Sequence, residues 1–172
     1  GLKIDIKDLY GAYAPLPNAW LKPYTAVGAL SGSGSATLSA AGASFKTDPD
    51  SNTTFAGAFA GPAASLFTKS GWGTLTLASS GTPSNALAGD VAVQGGTLTL
   101  AAGERIGDTS TVRIGDRSSL TLAADETLGA LGGTGTVILG PSTSVRVFAF
   151  SGDADSGLST NKTYTHLLDF PD

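Results

Sequence analysis

The sequence predicts an all-β protein, a β-solenoid with an N-terminal cap or arm, and three observations carry that expectation. Gly, Ala, Ser and Thr supply 89 of the 172 residues, while charged side chains make up only 14%. Short segments alternate apolar with small polar residues, the period of a strand with one buried face. One such segment recurs almost unchanged at a nearly constant interval, the signature of a stacked repeat. A helical bundle would need Glu, Lys and Leu at helical spacing, and a disordered tail would carry more charge and fewer aliphatic residues. A β-sandwich also has short alternating strands, but it does not require near-identical ones at fixed spacing.

From the N-terminus, Leu2-Lys3-Ile4-Asp5-Ile6-Lys7 alternates cleanly and reads as a strand with one charged face. Tyr10, Tyr13, Trp20 and Tyr24 follow among Pro15, Pro17 and Pro23, a composition unlike the rest. The first expectation for residues 1–30 is a cap over an open rung, which would otherwise invite edge-to-edge association. The alternative is an arm donated to a neighbouring subunit through Leu2, Ile4, Ile6, Tyr10, Tyr13, Trp20 and Tyr24.

Residues 31–150 hold the repeats. Gly73-Thr74-Leu75-Thr76-Leu77-Ala78 returns as Gly96-Thr97-Leu98-Thr99-Leu100-Ala101 and as Ser119-Leu120-Thr121-Leu122-Ala123. A looser copy is Gly135-Thr136-Val137-Ile138-Leu139, and Ser35-Ala36-Thr37-Leu38 is a degenerate earlier one. Counting between the first apolar residues, the steps are 23, 22 and then 17. A second alternating element precedes two copies, Val91-Ala92-Val93 and Val112-Arg113-Ile114, separated from them by Gln94-Gly95-Gly96 and Gly115-Asp116-Arg117, which are turn chemistry. A unit of this size cannot bury its own apolar face. Stacked on its copies it can, with Leu75, Leu77, Val91, Val93, Leu98, Leu100, Val112, Ile114, Leu120, Leu122, Val137 and Leu139 inward and the Thr and Ser rows facing water. Val145-Arg146-Val147-Phe148-Ala149-Phe150 closes this region as one more strand. Residues 151–172 are expected to add a last strand through Thr163-Tyr164-Thr165-His166-Leu167-Leu168 and a tail.

The stretch from Phe55 to Leu139 resembles the passenger-associated repeats of Gram-negative autotransporters. The resemblance lies in Phe55-Ala56-Gly57, then Lys69-Ser70-Gly71-Trp72-Gly73-Thr74-Leu75-Thr76-Leu77, then Asn85-Ala86-Leu87-Ala88-Gly89-Asp90-Val91, where Leu87 replaces the usual Tyr. It continues through Ile106-Gly107-Asp108 to Leu128-Gly129-Ala130 and Gly135-Thr136-Val137. It implies a right-handed parallel β-helix outside the cell, at a bacterial surface or released from it. Autotransporters carry a C-terminal β-barrel translocator, and no such barrel follows residue 150. With Gly1 preceded by neither Met nor a leader, the expectation is an excised passenger fragment or a stand-alone surface protein.

Composition excludes several functions. A formal charge of −4 without clustered Lys or Arg argues against nucleic acid and against anionic membranes, and no apolar run is long enough to span a bilayer. There is no cysteine for a disulfide, a thiolate or a metal. Asp155-Ser156-Gly157 matches the Asp-Ser-Gly of serine proteases, but the one histidine, His166, follows the serine and no nucleophile elbow exists. Glu104 and Glu126, one repeat apart, would stack on adjacent rungs near Asp125, the arrangement a polysaccharide-cleaving enzyme needs. Asp48, Asp50 and Asn52, and Asp153 with Asp155, have the oxygen spacing of calcium loops, but Phe59 and Tyr164 stand where the closing Glu belongs. Acidic turns are therefore expected, weak calcium binding is the alternative, and no cofactor is expected. Trp20 and Trp72 are candidates for stacking on glycans.

The reading is a non-enzymatic extracellular β-solenoid, structural or adhesive, with protein partners or glycans at a bacterial surface. The alternatives are a self-assembling filament or lattice built through the N-terminal arm, and a polysaccharide-active enzyme.

Overall fold

The computed structural model describes residues 3–5, 24–38, 42–78, 87–150, 162–164 and 168–169. The described chain is all-β and winds into a parallel β-solenoid of about five turns. Three sheets run along its length. The first contains β2 (Tyr24–Val27), β4 (Ser44–Thr47), β7 (Leu66–Lys69), β9 (Asp90–Val93), β11 (Thr111–Ile114), β13 (Glu126–Gly133), β15 (Val145–Phe150) and β16 (Lys162–Tyr164). The second contains β5 (Thr53–Phe55), β8 (Thr74–Leu77), β10 (Thr97–Leu100), β12 (Ser119–Leu122), β14 (Thr136–Leu139) and β17 (Leu168–Asp169). The third is short: β1 (Lys3–Asp5), β3 (Ser35–Thr37) and β6 (Ala58–Ala60), continued by single bridges from Gly61 to Leu87 and from Leu87 to Ile106.

The repeated block is the second sheet. Leu75, Leu98, Leu120 and Val137 pair directly, and so do Leu77, Leu100, Leu122 and Leu139. The first column is fully buried; the second is buried as far as Leu122, and Leu139 is partly covered at its end. Across the core, the first sheet stacks Phe45, Phe67, Val91, Val112 and Leu131. Phe59 from the third sheet packs edge-on against Phe67, with ring centroids 4.9 Å apart, and Phe45 stacks on Phe67 at 6.0 Å. The aromatic rungs thus fill the early turns, and aliphatic side chains fill the later ones.

Leu98 sits mid-column with neighbours above and below, so Leu98→Ala opens a void the rigid ladder cannot close. Urea unfolding is expected to show a loss of about 3 kcal/mol, against about 0.5 kcal/mol for outward Thr99→Ala.

The final step of 17 residues has a structural meaning. In the preceding turn the chain leaves β10, makes the Ile106 corner and only then enters β11. After β12 it skips that corner: β13 runs eight residues, its first half pairing only with β15 and its second half, from Ala130, also with β11. The solenoid loses its third side here. The turn that follows is shortened too, and Gly133 adopts φ +118° where a Cβ would collide with the Ile114 carbonyl oxygen.

The N-terminal region splits between what is and is not described. Ile4 lies in β1 and Tyr24 in β2, and both strands pair in parallel within their own chain, with β3 and β4. Leu2, Ile6, Tyr10, Tyr13 and Trp20 lie outside the described residues. At the other end, β16 and β17 run antiparallel to β15 and β14, reversing the chain direction used everywhere else.

Candidate functional surface

Two buried ionisable groups organise the turns, and both stand at inward positions where the fold elsewhere puts mostly aliphatic side chains. The first is Lys69. It lies two residues after Phe67 and points into the core between Thr47 below and Val93 above. Its Nζ donates to the carbonyl oxygens of Ser70 (2.7 Å), Gly71 (2.9 Å) and Gly95 (2.8 Å). All three ammonium protons are satisfied, and two successive corners are pinned to one atom. Burial lowers its pKa from 10.5 to about 8, while the charges of Asp48 and Asp50 pull the other way. Sequence reading missed this role. The available signal was phase: in Leu66-Phe67-Thr68-Lys69, lysine shares the inward register of Phe67.

The candidate calcium loop is engaged elsewhere. Asn52 Oδ1 accepts from the Thr74 N–H at 3.0 Å, tying one rung to the next, and Asp48 lies 3.9 Å from the Lys46 ammonium. Asp48 and Asp50 act as distant counter-charges to Lys69. Among the described residues no group of three or more His, Cys, Asp or Glu side chains could hold a metal ion. Asp153, Asp155, Ser156 and His166 lie outside the described residues.

The second group is Glu126, 2% exposed, where the third side ends. Its Oε1 accepts from the Ile106 N–H at 2.7 Å and its Oε2 from the Arg105 N–H at 3.1 Å. The carboxylate takes the place of the missing corner strand, supplying acceptors to donors that the next rung would otherwise meet. Burial raises its pKa to about 7; the main-chain N–H groups of Ile106, Arg105 and Glu104 oppose the rise and the charge of Glu104 adds to it. Glu104 and Glu126 are thus close enough to interact, though no strand pairing among the described residues links them, and Thr127 Oγ1 donates to Glu104 Oε1 at 3.3 Å. The Glu104 carboxyl is itself raised, by burial first and then by Asp108. Asp125 turns away: its Oδ1 accepts from the Ser144 N–H and hydroxyl at 2.8 and 3.0 Å. A carboxyl titrating near neutrality has the profile of a general acid, but both Glu126 oxygens face main-chain donors.

The outer surface is more open. Trp72 projects from the corner between β7 and β8 with 77% of its surface exposed. On the same edge, two turns on, lies a shallow depression of about 280 Å³ between Gln94, Arg113, Gly115, Gly133 and Thr134. It exists because the shortened last turn leaves only Gly133 and Thr134 on its upper wall. Outward residues of the second sheet are Thr and Ser at nearly every rung. Among the described residues no helix is long and apolar enough to cross a membrane.

No family model matches the chain, no curated protein is significantly similar to it, and no solved structure matches it.

Proposed function

We propose that the chain is a non-enzymatic extracellular solenoid of a bacterial surface, bearing load or presenting an adhesive side. The observation that supports this reading best is the unbroken register of Leu75, Leu98, Leu120 and Val137. Each turn is held by main-chain hydrogen bonds and core contacts to its two neighbours alone, so length can grow without loss of stability per turn. The surface location rests on the resemblance of the repeat to autotransporter passengers. The engagement of both Glu126 oxygens speaks against a catalytic carboxylate pair. The pairing of β1 and β2 inside their own chain favours the cap over a donated arm. Exposed Trp72, on the same edge as a depression with one cationic wall, suits contact with glycans.

Antibody raised against the purified chain is expected to label intact, unpermeabilised cells of the source organism. Signal that appears only after lysis overturns the reading. Release of reducing ends from a polysaccharide panel, lost in Glu126→Gln, would instead support the enzyme.

A further inference from the structure

The solvent side of the second sheet is more regular than folding requires. Thr74, Thr97, Ser119 and Thr136 stand directly above one another in one column, and Thr54, Thr76, Thr99, Thr121 and Ile138 in a second. The corresponding column of the first sheet passes through Lys46, Thr68, Ala92, Arg113 and Gly132, of which Thr68 and Gly132 are buried. Both sheets share the same turns and the same core, so the fold tolerates varied outward residues. The uniformity is confined to one side.

Two independent observations say what that side would meet. Among the described residues, no protein acceptor or donor takes the side-chain hydroxyls of Thr76, Thr97, Thr99 and Thr121, and neither column holds a charge. The register also fixes a two-dimensional net: neighbouring rungs are separated by about 4.8 Å and alternate residues along a strand by about 6.6 Å. Branching at Cβ restricts χ1, which limits the orientations open to the methyl and hydroxyl of each threonine. Such a net is of the same order as the oxygen repeats on the prism faces of hexagonal ice. A mobile or charged side chain would destroy the match.

We propose that this side binds ice, through a layer of water held in register over the two threonine columns and shared with the crystal lattice. The step is non-covalent and needs no cofactor. It goes beyond the surface-scaffold reading and does not depend on it, because it rests on the register of one sheet and not on where the protein resides.

The test uses the purified full chain and a single ice crystal held just below its melting point. The expected result is faceted growth, a gap between melting and freezing temperatures, and incorporation of the chain into a growing ice hemisphere. Thr99→Tyr, at the centre of the second column, is expected to lose all three with unchanged circular dichroism and melting temperature. Arg113→Tyr, outward on the first sheet, is expected to keep them. Thr121→Lys provides a second disruption of the net should the tyrosine variant fail to fold. Rounded, unfaceted crystals with the wild-type chain overturn the proposal. So does full activity in a folded Thr99→Tyr or Thr121→Lys chain. Binding to microcrystalline cellulose without any effect on ice also overturns it, by assigning the net to another hydroxyl lattice.

Discussion

Lys69→Met is expected to abolish a rise in stability that the wild-type chain shows between about pH 8 and pH 10.5. Lysine ordinarily titrates at 10.5 and Lys69 in the folded chain at about 8. Within that window the unfolded chain binds a proton that the folded chain does not, so the unfolding free energy climbs with pH, by up to about 1.4 kcal/mol per pH unit for one proton. Below pH 8 both states are protonated and the cost of the buried charge is present in full. Methionine fills the volume but donates nothing, so the carbonyls of Ser70, Gly71 and Gly95 lose a shared donor. At neutral pH the expected loss is about 2 to 4 kcal/mol, set by unpaired buried acceptors more than by volume. Urea unfolding of both chains across pH 7 to 10.5 checks both statements; an equal alkaline rise in the variant would assign the rise to another group.

Glu126→Ala is expected to cost about 2 to 4 kcal/mol, because it removes the acceptor from the buried Ile106 N–H and the part-buried Arg105 N–H. Glu126→Gln separates the charge from the hydrogen bonds. Its carbonyl oxygen still reaches one donor, and its amide has no proton to titrate. The folded pKa of about 7 lies above the ordinary 4.5, so between those values the folded chain holds the extra proton. Wild-type stability therefore falls as pH rises from 4.5 to 7, and the full penalty persists above that. Glu104 is raised in the same direction and adds to the slope. Glu126→Gln should flatten most of this decline. Together the two groups place a stability minimum between about pH 7 and pH 8, and a thermal melt series measures it directly. An undiminished slope in Glu126→Gln would sink the assignment.

The parallel columns were legible because strands of identical phase at steps of 23 and 22 can pair in only one register. Leu75, Leu98 and Leu120 follow that rule, and the 22-residue step between Phe45 and Phe67 carries it into the aromatic rungs. The third side was not legible. Leu87 and Ile106 bridge as single residues, too short to leave an alternating pattern. The shortened step to Val137 was visible as a number, but its cause lay in where the chain omits a corner, which spacing within one sheet does not report. For the site, a 22-residue interval did bring Glu104 and Glu126 together. It gave no hint that Glu126 replaces a strand, since that duty depends on donors left open by the turn before. Lys69 was hidden by its charge: a lysine in an alternating segment reads as solvated unless its phase is compared with its neighbours.

The antiparallel pairing of β16 with β15 and of β17 with β14 makes the two poles of the molecule chemically unlike. Among the described residues, the C-terminal edge of each long sheet is thus a segment of only two or three residues running against the ladder, a poorer template for a further parallel rung than the strands beneath it.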